Sequence, residues 1–199
     1  NHVTRFSSDD LEDWTVSRVI EQQPGEHLFN TSVCAGPDGY VMAYESNDQT
    51  YPAFTVKFAR SPNLEDWEEV PGVAFGQDRY TACPCIRYEH GYYYMLYLEH
   101  RGPRHWFETY VARSRDLLTW ELSSANPVLR ATGLDEGINA SDPELVEMEG
   151  TTWVYFAVGD QLSWMNMKRA TFNGDQRQFL EGWFVEPGIH DCGSGPLRP

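Results

Sequence analysis

The 199-residue sequence predicts an all-β fold, a β-propeller built from repeated four-stranded sheets. Two motifs carry this prediction, because each recurs along the chain and the two alternate. No segment has the 3.6-residue apolar period of a substantial helix. A β-sandwich would also contain many short strands, but nothing in that fold requires a constant repeat length.

The first motif has the form S-x-D-L-x-x-W, with Asn replacing Asp in the second copy. It reads SDDLEDW at 8–14, SPNLEDW at 61–67 and SRDLLTW at 114–120, with its serines spaced by 53 residues. A length of about 53 residues is that of one four-stranded propeller blade. We expect the repeated tryptophans to pack in the core between successive blades: Trp14, Trp67 and Trp120.

The second motif predicts a β-hairpin in each repeat. An apolar stretch leads to an acidic residue or His followed by Gly, and an aromatic and β-branched run comes next. Glycine supplies the positive φ that a tight turn needs. The three copies lie at 31–44, 83–97 and 142–155, with their turns at Asp38-Gly39, His90-Gly91 and Glu149-Gly150.

One partial propeller domain is predicted. Its blades would span about 26–75, 76–130 and 131–185, with outer strands of a preceding blade at 1–25 and a tail at 186–199. Gly182-Trp183 is expected in a degenerate outer strand of the last blade. Since propellers close with four or more blades, we expect a fragment of a longer protein, or a homo-oligomer formed through open blade edges.

Charge and composition exclude several classes of function. The net charge of −15 argues against nucleic acid and against an anionic membrane surface as partners. The apolar run 92–98 is too short to span a bilayer, and no signal peptide is visible. The four cysteines are too scattered for a disulfide framework or a metal site. The location stays open, although unpaired cysteines favour the cytoplasm.

Hairpin topology predicts where functional side chains gather. The start of an inner strand and the end of its partner lie at the same face, so Thr31, Cys83 and Asp142 should face one mouth. Asp142 precedes Pro143, which favours an extended backbone at that position. The other blades carry no carboxylate at this place, so the fold does not demand one. Asp142 is therefore a candidate catalytic residue, with an Asx-type turn cap as the alternative.

Residues that follow the second strands should form the rim of the mouth. Glu45 and Glu99 align with one another, each shortly after a Tyr at the end of a second strand, and a carboxyl group near aromatic walls could serve as general acid. The alternative is a solvated charge at the rim or, for Glu99, an ion pair with Arg101. His100, Arg101 and Asp160 are predicted to bind substrate. Trp106 and Trp164 lie outside the repeat pattern, and such aromatics with nearby charges suit a carbohydrate.

The repeated SRDLLTW and SDDLEDW segments resemble the outer-strand motif of the five-bladed propeller glycosidases of families 43 and 32. The segment ASDPELVEMEGTTWVYF resembles their Asp-Pro block. This resemblance implies hydrolysis of a glycosidic bond by three carboxylates on different blades, with Asp142 as the residue that sets the pKa of its partners. The base or nucleophile would belong to an earlier blade, and Glu186 is a weak match for the acid. An axial calcium ion is compatible with the superfamily, but no ligand set here specifies one, and no cofactor is predicted.

Two other functions remain open at this stage. The same aromatics and charges would suit a carbohydrate-binding propeller without catalysis. A glycoside phosphorylase would need a cationic phosphate pocket, which only Arg101, Arg104 and His105 could supply.

Overall fold

Strands dominate the computed structural model, which describes residues 1–52, 54–102, 106–133 and 135–185. A two-stranded sheet comes first, with β1 at His2–Ser7 and β2 at Thr15–Glu21. The next sheet, called blade A, has four antiparallel strands in sequence order. These strands are β3 Leu28–Gly36, β4 Gly39–Ser46, β5 Thr55–Ser61 and β6 Glu68–Phe75.

Two further antiparallel sheets follow. Blade B contains β7 Ala82–Glu89, β8 Tyr92–His100, β9 Phe107–Ser114 and β10 Trp120–Leu122. Blade C contains β11 Asn139–Met148, β12 Thr151–Gly159 and β13 Met165–Phe172. The strands of the three sheets lie at 28–75, 82–122 and 139–172, and the blade boundaries 26–75, 76–130 and 131–185 stay a prediction.

A helix replaces the outer strand that the sequence predicts for the last blade. α1 spans Gln176–Glu181, and a 3₁₀ turn at Gly182–Phe184 follows it, so the strand expected at Gly182-Trp183 is wrong. The Asp175 side chain accepts the N–H of Gln178 at 2.7 Å, and the Gln178 side chain accepts the N–H of Asp175 at 3.1 Å. This capping box is a local helix-start signal that outweighs the repeat pattern.

The sheets stack face to face in chain order. Blade A and blade B share a buried cluster that includes Phe58, Ile86, Met95 and Tyr97. Blade B and blade C share a second cluster, and its members include Leu96, Val154 and Leu180. The β1–β2 sheet packs on blade A through Ile20, Met42 and Tyr44. Stacked antiparallel sheets with this connectivity, two of them four-stranded, have the arrangement of propeller blades.

The repeated serine motif forms the turn between the third and fourth strands of a blade. In blade B the Ser114 hydroxyl accepts the N–H of Leu117 at 2.9 Å, and Asp116 accepts the N–H groups of Leu118 and Thr119. The motif leucine takes a positive φ of 71°. The Trp120 indole N–H then donates to the Leu117 carbonyl at 2.9 Å. The motif is therefore a self-capped turn that ends in a packing residue.

The second and third motif tryptophans each pack on the sheet that precedes their own. Trp120 stacks on Phe58 of blade A, with ring centroids 5.5 Å apart, and Trp67 packs against the cluster between β1–β2 and blade A. Trp14 is 51% exposed, which corrects the expectation that it is a core residue. The described residues contain no sheet before β1–β2 for Trp14 to pack against.

The three predicted hairpins are confirmed, but the first turn is formed by Pro37-Asp38, with Gly39 already paired to Gly36, rather than by Asp38-Gly39. Tight turns join β7 to β8 and β11 to β12, and both central residues of each turn have positive φ: His90, Gly91, Glu149 and Gly150. This conformation at two central residues is that of a type I′ turn, the turn that matches strand twist. No helix among the residues that the structure describes is long and apolar enough to cross a membrane.

Candidate active site

Each inner strand carries a β-bulge at the same edge of its sheet. The register shifts by one residue between Leu28 and Thr31 in β3, between Ala82 and Cys85 in β7, and between Ser141 and Glu144 in β11. The bulged pairs are Phe29-Asn30, Cys83-Pro84 and Asp142-Pro143. Phe29, rather than Thr31, is therefore the blade A counterpart of Cys83 and Asp142. A bulge re-aims a side chain and is common beside active sites.

Glu45, near the end of β4, is buried at this edge with only 4% of its surface exposed. Its Oε2 accepts the backbone N–H of Cys83 at 2.9 Å and the Nδ2–H of Asn30 at 3.0 Å. Burial raises the pKa of Glu45, and the nearby charge of Asp142 raises it further, although the two hydrogen bonds oppose this shift. The carboxyl group is thus biased towards its protonated form.

Asp142 faces the same space from blade C. Its backbone has a positive φ of 51°, and the Ser141 hydroxyl donates to its Oδ2 at 2.7 Å. Burial raises the pKa of the Cys83 thiol, and hydrogen bonding and repulsion from Asp142 add to the effect. Side chains from all three blades therefore meet here: Asn30 and Glu45 from blade A, Cys83 from blade B and Asp142 from blade C.

Aromatic rings form a wall beside these polar groups. Phe54 stands edge-on to Phe29 and to Tyr80, with both pairs of ring centroids 5.2 Å apart. Burial raises the pKa of Tyr80, and the charges of Glu45, Cys83 and Asp142 raise it further. Phe29 leaves 42% of its surface exposed to the mouth. Apolar rings next to polar groups are the usual lining of a ligand site.

Three of the nine non-glycine residues that have a positive φ in the described part of the chain lie around Glu45. Phe54, Cys83 and Asp142 have φ values of 61°, 47° and 51°. Such angles are unfavourable for residues other than glycine, and above all for a bulky aromatic. Strain of this kind persists where the surrounding structure enforces it, and it clusters at functional sites.

Glu99, the other predicted acid, lies in an ion-pair network. It is 8% exposed, and its oxygens lie 3.4 Å from Arg79 Nη1 and 3.5 Å from Arg101 Nη1. Arg101 also lies 3.6 Å from Glu108, which pairs with Glu99 across β8 and β9. Counted from the bulge, the residue equivalent to Glu45 is Tyr97, two positions before Glu99. The two glutamates therefore occupy different environments.

The remaining predicted residues lie around the same rim. His100 and Phe107 have ring centroids 5.2 Å apart, and Tyr80 lies against both rings. Trp106 is 43% exposed, and its carbonyl accepts the N–H of Arg101 at 2.8 Å. The rim is therefore continuous from blade A to blade B.

Asp160 and Trp164 lie in the β12–β13 loop. Asp160 Oδ1 accepts the N–H groups of Leu162, Ser163 and Trp164 at 2.9, 2.8 and 3.1 Å. Hydrogen bonds from the Ser163 hydroxyl and from these N–H groups hold the pKa of Asp160 well below its usual range. Asp160 thus fixes the loop that presents Trp164, whose exposed fraction is 38%.

Two residues that the sequence did not single out as site residues organise this region. Asn139 is fully buried; its Oδ1 accepts the Phe107 N–H at 2.7 Å, and its Nδ2–H donates to the Gly159 carbonyl at 3.0 Å. It joins blade B to blade C behind the bulge. Asn30 is the second, and it bonds to Glu45. Both precede a Ser or Thr in sequon-like segments, a pattern that gives no hint of these contacts.

Some predicted groups fall outside the described part of the chain, namely Arg104, His105 and Glu186. Within the described ranges, no group of three or more His, Cys, Asp or Glu side chains is arranged to hold a metal ion.

No protein-family model matches the sequence, and no curated protein matches it. Solved structures do match. A thermostable family-43 glycoside hydrolase has a TM-score of 0.62 and 17% identity, covering 93% of this chain and 64% of its own. A family 117 glycoside hydrolase of Zobellia galactanivorans has a TM-score of 0.62 and 13% identity, covering 86% and 58%. The GH32 β-fructofuranosidase of Bombyx mori has a TM-score of 0.61 and 14% identity, covering 73% and 32%.

These likenesses confirm the resemblance to glycoside hydrolase propellers at the level of the fold. The chain spans between 32% and 64% of the length of these three structures. The number of blades in a closed ring stays a prediction.

Proposed function

We propose that the protein hydrolyses a glycosidic bond in an oligo- or polysaccharide, with Glu45 as general acid and Asp142 as the carboxylate whose charge adds to the effect of burial in raising the pKa of Glu45. One observation carries the proposal: a buried glutamate with a raised pKa lies where three blades meet, in a fold shared with glycoside hydrolases. A general acid works best when its pKa lies near the working pH.

The chemistry follows from this arrangement. Protonated Glu45 gives its proton to the glycosidic oxygen while the bond from that oxygen to the anomeric carbon breaks, and the electron pair stays on the oxygen. The sugar passes through an oxocarbenium-like transition state. Water then bonds to the anomeric carbon and releases one proton to the solvent, from which the Glu45 carboxylate takes up a proton again.

The wall and the rim favour a neutral sugar. Phe29, Phe54 and Tyr80 offer ring faces and edges that suit the C–H surface of a pyranose or furanose. The two arginines at the rim, Arg79 and Arg101, already face Glu99. A uronic acid would have to compete with that carboxylate for their charge. We therefore place neutral glycans first among the substrates.

The experiment compares the wild-type protein with Glu45→Gln and Glu99→Gln on a panel of neutral oligosaccharides, with released reducing sugar as the readout. We expect Glu45→Gln to lose roughly 100- to 10,000-fold in turnover, the usual contribution of a general acid. Glu99→Gln should retain most of the turnover, because the Glu99 carboxylate forms ion pairs with Arg79 and Arg101. A larger loss of turnover in Glu99→Gln than in Glu45→Gln would identify Glu99 as the general acid instead. Sugar binding without turnover in the wild type would identify a carbohydrate-binding propeller, and strict dependence on phosphate would identify a phosphorylase.

A further inference from the structure

Two donors from outside β4 hold one oxygen of the Glu45 carboxyl group. The Asn30 side chain reaches Oε2 at 3.0 Å, and the Cys83 backbone N–H reaches the same atom at 2.9 Å. Asn30 also donates to the Cys83 sulfur at 3.2 Å, so the two donors contact each other. Glu45 Oε2 is thus held from blade A and blade B together.

Irregular backbone places both donors. Asn30 belongs to the bulged pair of β3, and Cys83 to that of β7, where its φ is 47°. In a regular strand, the N–H at this position would point along the ladder rather than towards a side chain of the next sheet. The bulges therefore turn one backbone N–H, that of Cys83, and one side chain, that of Asn30, into donors for Glu45.

We propose that Asn30 is a positioning residue for Glu45, acting together with the Cys83 amide; this inference rests on the proposed function. Two N–H donors occupy the lone pairs of Oε2, so the acidic proton resides on Oε1. The carboxyl group then presents one defined O–H towards the mouth instead of two interchangeable oxygens. Orientation of this kind contributes to catalysis without any contact between Asn30 and substrate.

Packing gives Asn30 no comparable role, because its residue surface is exposed. Substitution by Ala leaves no buried cavity, and the change falls on the two hydrogen bonds. The Asn30 bond stabilises the charged form of Glu45, so its loss should raise the pKa of that carboxyl further. Asn30→Asp removes the donor and adds a like charge, so it should raise the pKa more than Asn30→Ala does.

The test is a ¹³C NMR titration of the Glu45 carboxyl carbon in wild type, Asn30→Ala and Asn30→Asp, without substrate. We expect the pKa to increase in that order. On a cleaved glycoside, kcat should fall roughly 10- to 100-fold in Asn30→Ala with KM unchanged, the scale seen for residues that orient a functional group. The alkaline limb of the rate profile should move to higher pH. Asn47→Ala is the matched control, because Asn47 lies just beyond the end of β4 and bonds to His27 rather than to Glu45.

The outcomes separate the two proposals. An unchanged Glu45 pKa and an unchanged kcat in Asn30→Ala would overturn the positioning role even if the protein is a hydrolase. Lower thermal stability without a pKa change would show a structural role only, and would overturn it as well. If the wild type cleaves no glycoside, the proposed function fails, while the order of the three pKa values still decides whether Asn30 controls the carboxyl group.

Discussion

The backbone N–H of Cys83 lies 2.9 Å from Glu45 Oε2, and this bond joins two neighbouring sheets at the edge where their inner strands begin. Glu45 has only 4% of its surface exposed, so the loss of hydration destabilises its charged form. The peptide N–H and Asn30 compensate in part, but burial remains the larger influence and the pKa stays raised. The buried carboxyl group is therefore easily protonated, but its charged form makes the folded state less stable.

The stability of the protein should therefore depend on Glu45. A raised folded-state pKa contributes stability that is fully present below the ordinary value of 4.5 and is lost as the pH rises through the folded-state value. Glu45→Gln keeps an oxygen that can accept both hydrogen bonds and has no charge to bury. In urea unfolding across a pH series, wild type and Glu45→Gln should be equally stable below the ordinary pKa. As the pH rises above it, Glu45→Gln should become increasingly more stable than wild type.

Glu12→Gln is the control for that series, because Glu12 is exposed. A wild-type protein that is more stable than Glu45→Gln at neutral pH would mean that Glu45 is held as a structural anion.

The motif turn should tolerate Asn in place of Asp116. In the second copy, Asn63 Oδ1 already accepts the N–H groups of Glu65 and Asp66, both at 2.9 Å. Asp116→Asn should keep near wild-type stability at neutral pH, whereas Asp116→Ala should lose about 1 kcal/mol, as other capping losses do. Hydrogen bonds lower the pKa of Asp116, so its contribution is present above the ordinary value of 3.8 and is lost as the pH falls. The stability of Asp116→Asn should not show that loss at low pH. Equal stabilities of Asp116→Asn and Asp116→Ala would contradict the capping role.

Asn139 should be the most sensitive polar residue between blade B and blade C. Its substitution by Ala removes two buried hydrogen bonds, to Phe107 and to Gly159, and should cost roughly 2–4 kcal/mol in the free energy of unfolding. The control is Asn166→Ala, at an exposed position of β13, which should change the free energy of unfolding by less than about 0.5 kcal/mol. Equal losses in chemical denaturation would show that Asn139 has no special part in joining the blades.

Two glycines with positive φ should respond differently to Ala. Gly150, at φ 71°, has no atom within 4 Å of an added methyl group, so it should lose only the backbone cost of about 1–2 kcal/mol. At Gly159, with φ 138°, the methyl group would meet the Trp164 carbonyl oxygen, which should add about 1–3 kcal/mol. Thermal unfolding of the two variants compares these costs directly; similar losses would mean that the Trp164 loop moves aside.

Much of the fold could be predicted because the chain repeats its local signals. The serine motif encodes a turn through hydrogen bonds among neighbours, and the Gly turns set the inner hairpins. These interactions span a few residues, so the sequence alone displays them. The last blade differs because Asp175 and Gln178 form a helix cap, a competing local signal that the repeat alignment concealed.

The site was harder to predict because it depends on register. A bulge shifts the strand by one residue, so Phe29 rather than Thr31 corresponds to Asp142, and Glu45 no longer matches Glu99. The partner of Glu45 is a backbone N–H, which residue type cannot reveal. Asp142 could be singled out because Pro143 follows it and the other repeats carry no carboxylate at this place. The extended backbone expected before proline is wrong, since the bulge gives Asp142 a positive φ of 51°. Asn139 and Asn30 bond across blades, and no spacing in the chain encodes those contacts.

The central claim is that Glu45 donates a proton to the leaving group, and the dependence on leaving group tests it most directly. The measurement is kcat/KM of wild type and Glu45→Ala on two glycosides of one sugar, one with an alkyl alcohol and one with dinitrophenol as leaving group. Dinitrophenolate departs without protonation, so we predict a loss of roughly 100-fold or more for the alkyl glycoside and almost none for the dinitrophenyl glycoside. Equal losses on both substrates, or none on either, would contradict the account.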